Sequence, residues 1–185
     1  MPKTLILIPG FGGTTNGKPY QDIISYAKSK KYTIIPINPI WKYRTVSHWY
    51  EDAQNKIKGI SPKDTVLLGF SLGAYIALLL AQHTPFHTTI LCSLSPYFKE
   101  QLKDTPAIVK QILGKRRIQD FERHSLRRDL VSKKNTILFG DKEWEYAKHE
   151  GEKYSHTQKA NFISVPDTEH ELNQNYLIAI KKILS

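Results

Sequence analysis

The chain is poor in sulfur. Cys92 is its one cysteine, which rules out an intramolecular disulfide and a cysteine-built metal site. It lies in the apolar run Thr88–Leu94 and reads as a small buried side chain rather than a reactive thiol. Long apolar runs are missing too, and none is long enough for a spanning helix. Near the start, Leu5–Ile8 is stopped by Pro9 and Gly10. That is too short for the apolar region of a secretory signal, and no small-residue cleavage site follows, so a cytoplasmic protein is expected. His-x-x-His and His-Glu-x-x-His spacings are absent, and Glu169-His170-Glu171 is too tight for a ligand set. No metal or other cofactor is expected. There is no repeat, low-complexity tract or Gly/Pro/Ser-rich linker, so residues 1–185 are expected to form one domain.

Acidic residues are in the minority, 17 against 27 Lys and Arg, for a net charge of +10. The excess is concentrated. Residues 96–134 hold eleven Lys and Arg against five Asp and Glu. Such a segment favours anionic acyl groups, phosphorylated esters or acidic lipid surfaces; the alternative is a helix pair with its charges in water. Lys115-Arg116-Arg117 comes with no recognisable nucleic-acid fold or aromatic stacking pattern, so nucleic acid is not expected as a partner.

What the sequence does have is alternation. Thr4–Ile8, Tyr32–Ile37, Thr65–Gly69, Thr88–Ser93, Asn135–Gly140 and Ala160–Val165 are short and rich in Ile, Leu, Val and Thr, as strands buried on both faces are. Between them Tyr20–Lys30, His48–Lys58, Leu72–Gln82, Glu143–Tyr154 and Asn173–Leu184 have helical spacing. This order predicts an α/β fold, a mostly parallel six-stranded sheet with helices on both faces. Leu72–Gln82 is apolar almost all round and belongs against the middle of the sheet. The long connection 96–134 is expected to hold short helices near Phe98–Lys103, Pro106–Leu113 and Ile118–Leu130, part of them a small lid or pocket wall.

Two motifs carry chemistry. G-F-S-L-G, residues 69–73, follows a predicted strand and opens the apolar helix, the setting in which G-x-S-x-G holds a nucleophilic serine on a strained turn. This makes Ser71 the candidate nucleophile. P-G-F-G-G-T, residues 9–14, follows the first strand and lacks the Walker and G-x-G-x-x-G spacings. Such a loop can instead turn a backbone N–H toward an oxyanion. Leu72 N–H, next to the serine, is one candidate donor, and Phe11 N–H is the second, with Gly12 as its competitor.

On P-G-F-G-G at 9–13, G-F-S-L-G-A at 69–74, G-D-K-E at 140–143 and E-H-E at 169–171, the chain resembles the α/β-hydrolase family over nearly its whole length. It departs from the family in lacking the leading antiparallel hairpin. The resemblance implies a serine hydrolase, esterase-like, acting on a small-molecule ester with anionic esters among the options. It places the general base in the loop after the last strand, which holds His170; the other six histidines read as surface residues. For the acid, the family's Gly-x-x-acid register selects Glu143. Asp141, the commoner residue type, stays as the alternative, with Asp167 behind it. The loser would be a turn residue, Asp141 as a helix cap. Trp41, Tyr43, Trp49 and Tyr50 could line an acyl pocket or pack in the core. The rival from another class is a non-catalytic binding protein on the same fold.

Overall fold

A computed structural model describes residues 4–95, 98–124 and 129–185. Its six strands are β1 (Thr4–Ile8), β2 (Thr33–Pro36), β3 (Thr65–Phe70), β4 (Thr88–Cys92), β5 (Lys134–Gly140) and β6 (Asn161–Val165). They form one sheet in the order β2-β1-β3-β4-β5-β6, and every pairing is parallel. Among the described residues there is no leading hairpin. Every residue of β3 and β4 is buried, as their unbroken apolar and Thr sequence requires of strands covered on both faces.

Five longer helices cover the sheet. α1 (Lys18–Ser29) and α7 (Gln174–Leu184) pack against each other on one face. α2 (Val46–Lys56), α3 (Leu72–Ala81) and α6 (Glu145–Thr157) share the core of the other. All ten residues of α3 are buried. Each large apolar side chain there contributes about 1.5–3 kcal/mol by leaving water. This burial, and not any polar capping, holds the helix behind Ser71. Asn173 caps α7 by accepting the Asn175 and Tyr176 N–H groups.

The long connection differs from expectation at both ends. Phe98–Lys103 is not an α-helix but a set of turns ending in a 3-10 turn, Leu102–Asp104, stopped by Pro106. α4 (Ala107–Leu113) forms where expected. α5 (Lys115–Phe121) begins three residues earlier than Ile118 and ends at Phe121, not Leu130. Gly114 takes φ 79° and ψ 154°, a conformation open mainly to glycine, and sets the corner between α4 and α5. Residues 96, 97 and 125–128 of the expected segment lie outside the described residues. No helix among the described residues is long and apolar enough to cross a membrane.

Candidate active site

The site is built at the carboxyl ends of β1, β3, β4 and β5. β3 turns sharply into α3 at Ser71, whose φ is 54° and ψ −122°, a costly conformation for a residue with a Cβ. The turn exists because its neighbours are small. A Cβ on Gly73 would strike the Ile8 and Pro9 carbonyls, and one on Gly69 would strike the Gly73 carbonyl. The Ser71 N–H donates to the Cys92 carbonyl at 2.8 Å, which ties the turn to β4.

Ser71 Oγ lies 2.8 Å from His170 Nε2. His170 Nδ1 lies 2.8 Å from Glu143 Oε2. His170 stands in the loop between β6 and α7, half open to solvent, with its ring 5.4 Å from that of Phe70. Glu143 is buried. Its Oε1 accepts three hydrogen bonds, each 2.7 Å, from the Gly140 N–H, the Ser93 hydroxyl and the Tyr176 hydroxyl. Burial raises the carboxyl pKa. The hydrogen bonds from His170, Tyr176, Gly140 and Ser93 outweigh it, so Glu143 titrates below the usual carboxylate range. Burial with Cys92 and Glu143 nearby drives the Tyr176 phenol far above its usual value, so it stays a donor.

The structure thus brings Ser71, His170 and Glu143 together and leaves Asp141 out. Asp141 Oδ1 accepts the Thr168 N–H at 3.1 Å, making it a turn residue that joins the β5 and β6 loops. It does not cap α6, whose N-cap is Trp144. Asp167 pairs with Lys142 at 2.9 Å on the surface. Ser93 and Tyr176, the further partners of Glu143, went unread in the sequence. Tyr176 passes there for one more apolar-face residue of the last helix, and nothing local marks Ser93, whose φ is 51°.

The glycine-rich loop lies against the serine. A Cβ on Gly10 would sit 3.3 Å from Ser71 Cβ. Gly13 N–H closes a turn onto the Gly10 carbonyl at 2.9 Å, with Gly12 at φ 76° where a type II turn needs glycine. Tyr20 Oη accepts the Gly10 N–H at 3.2 Å, Trp41 Nε1 donates to the Gly13 carbonyl at 2.8 Å, and Asn38 accepts the Thr15 N–H at 2.8 Å. Among the described residues the Phe11, Gly12 and Leu72 N–H groups donate to no protein acceptor. Phe11 is attached directly to Gly10, the residue against Ser71, which favours its N–H over that of Gly12.

The aromatic stretch divides. Trp49 is wholly buried and meets Phe11 and Trp41 edge to face, at 6.1 and 4.9 Å between centroids, so it packs beneath the loop and does not line a pocket. Tyr43 is 78% exposed. Of the other histidines, His48, His87 and His124 are half-buried rather than fully exposed. His48 Nδ1 hydrogen-bonds the Thr45 hydroxyl at the start of α2, and His124 packs against the Tyr75 ring. The described residues contain no group of three or more ligating side chains placed to hold a metal.

This sheet order and the serine on its strand-to-helix turn are those of the α/β-hydrolase fold, and solved structures of that fold superpose on the chain. Alpha/beta hydrolase domain-containing protein 10 from mouse does so with a TM-score of 0.78 at 14% identity, covering 98% of this chain and 87% of its own. The ydeN gene product from B. subtilis gives 0.75 at 14%, covering 98% and 96%. FphF, a fluorophosphonate-binding serine hydrolase of Staphylococcus aureus, gives 0.67 at 18%, covering 99% and 82%. No protein-family model matches the sequence, and no curated protein matches it.

Proposed function

We propose that the protein is a serine hydrolase that cleaves a carboxylic ester, or the related thioester or amide, through an acyl-enzyme. The observation that carries this reading is the hydrogen-bonded relay from Ser71 Oγ through both ring nitrogens of His170 to Glu143. A serine hydroxyl is a weak nucleophile until a base takes its proton. His170 Nε2 takes it as Oγ bonds to the carbonyl carbon, and the carbonyl electron pair moves onto oxygen. Phe11 and Leu72 N–H receive that oxyanion, each donor contributing roughly 2.7–4 kcal/mol at the transition state. Collapse breaks the ester bond, and His170 returns the proton to the leaving alkoxide. Water then gives a proton to His170 as its oxygen bonds to the acyl carbon, and His170 passes that proton to Oγ as the acyl bond breaks, which releases the acid and restores Ser71. Glu143 holds the imidazole with Nε2 facing the serine and stabilises its charged form. These side chains supply nucleophile and proton shuttle themselves, so the mechanism calls on no cofactor. Residues 98–124 serve as a fixed wall of the site rather than a moving lid. The support is Arg117, whose three side-chain nitrogens are spent on the Arg44, Leu113 and Trp41 carbonyls.

The test is reaction with a fluorophosphonate probe. Wild-type protein is expected to label, Ser71→Ala not at all, and His170→Ala far more slowly. A folded wild type that does not label would overturn the reading and leave the non-catalytic binder in its place.

A further inference from the structure

The β2–α2 connection and the α4–α5 corner enclose a cleft of about 360 Å³, to which Lys42, Arg44, Lys115, Arg116 and Arg117 all contribute and no carboxylate does. Among the described residues, Arg44 is the one of the five cations with an acidic partner, Asp52 at 2.6 Å, and its buried Nε meets no acceptor. Arg117 is half-buried, and among the described residues its hydrogen bonds go to neutral carbonyls. Like charges gathered along one open cleft repel one another, and an anion bound among them relieves the repulsion.

One residue of the cleft, Arg117, links it through the glycine-rich loop to the candidate site. The Arg117 guanidinium stacks over the Phe11 ring at 5.1 Å, Phe11 follows Gly10, and Gly10 lies against Ser71. The wall includes Tyr43, a bulky residue held at φ 59°, whose carbonyl accepts from Arg116. A conformation that costs energy, kept at such a place, is typical of a binding surface.

We propose that this cleft binds a phosphate or diphosphate group, and that the group belongs to the ester substrate. The second clause rests on the hydrolase reading; the first does not. The exposed Arg116 guanidinium and the Lys42 and Lys115 ammonium groups suit a compact, multiply charged oxyanion better than a single carboxylate, with Arg117 adding its charge from behind. Held there, the anion would anchor one end of the substrate while the acyl carbon lies at Ser71.

The first experiment is calorimetric titration of the intact protein with inorganic pyrophosphate at low salt. The test variant is Lys115→Gln/Arg116→Gln, both side chains exposed and neither placed in the catalytic machinery. The control is Lys181→Gln/Lys182→Gln on α7, which removes the same charge from the opposite face of the sheet. The test variant is expected to weaken binding about tenfold, equivalent to 1.4 kcal/mol, and the control less than about twofold. No pyrophosphate binding, or equal weakening in both variants, overturns the site. The second experiment compares kcat/KM for paired esters with and without a terminal phosphate. A preference for the phosphorylated ester that the test variant loses supports a substrate-borne anion. Equal rates for the pair, with pyrophosphate still bound, overturn that clause. Pyrophosphate binding without fluorophosphonate labelling overturns the hydrolase reading and the second clause with it, and keeps the site.

Discussion

Removing the Tyr176 hydroxyl deletes one of the three hydrogen bonds on Glu143 Oε1, together with its 2.7 Å contact to Ser93 Oγ and its 3.3 Å bond to the Leu138 carbonyl. Tyr176→Phe keeps the ring and its edge-on contact with Phe70, 6.0 Å between centroids, so packing changes little. A hydrogen bond to a charged group contributes about 1.5–3 kcal/mol, and here part of that is recovered because the buried phenol is also gone. A net loss of about 1–2 kcal/mol at pH 7 follows, or roughly 2–8 °C in Tm for a chain of this size. The bond favours the ionised carboxyl, so its loss raises the Glu143 pKa toward the ordinary carboxylate range. The sign can be checked through linkage. A carboxyl with a depressed folded pKa stabilises above its unfolded pKa, and that contribution fades as pH falls through the folded pKa. The stability gap between variant and wild type should therefore be full at pH 7 and narrow at acid pH, where the carboxyl is protonated in both. Thermal melts across pH measure this. A stability loss constant with pH would refute the role given to Tyr176 and leave it as packing alone.

Glu143→Gln should cost far more than Asp141→Asn. Whichever way the amide turns, its NH₂ meets donors, either His170 Nδ1–H or the cluster of Gly140, Ser93 and Tyr176. By analogy with the acid of other serine hydrolases kcat falls on the order of 10⁴-fold, whereas Asp141→Asn keeps most activity and loses a little stability; steady-state kinetics on both variants would overturn the assignment if the order reversed. A second acid-sensitive point lies outside the site. Burial raises the Asp120 pKa, but bonds from the Ser47 N–H, the Ser47 hydroxyl and Thr45 hold it below the ordinary value. Its contribution is present above the unfolded value of about 3.9 and is lost as pH falls through the lower folded value. Asp120→Asn should lower Tm at pH 7 and flatten its acid dependence; equal Tm losses at pH 7 and at strongly acid pH would count against this.

Much of the fold was legible because four of the six strands, β1, β3, β4 and β5, lie inside the sheet. A strand covered on both faces must be apolar throughout, so Leu5–Ile8 and Val66–Leu68 stand out from their surroundings. The same burial makes α3 apolar all round. The segment 98–124 was harder because its turns answer to contacts distant in sequence: Phe98 and Phe121 wedge against Tyr75, and Asp120 accepts from Ser47. For the candidate site, the loops bearing Ser71, His170 and Glu143 could be named from strand order and motif. The contacts of Ser93 and Tyr176 could not, since a tyrosine on an apolar helix face looks the same whether or not its hydroxyl meets a carboxylate. The cation cleft joins residues 42–44 to 113–117. Counting charge along the chain marks the second of these segments and not the first.

The parallel strand order bears on how this chain is made. Ser71 and His170 are 99 residues apart, and Glu143 comes from the later part of the chain. During synthesis, β1 to β4 and α3 are made before the base and the acid. A chain emerging from the ribosome then carries its serine with no partner to activate it. On the proposed reading, hydrolytic competence arrives only when β6 and α7 dock, so activity would report completion of the sheet as a whole.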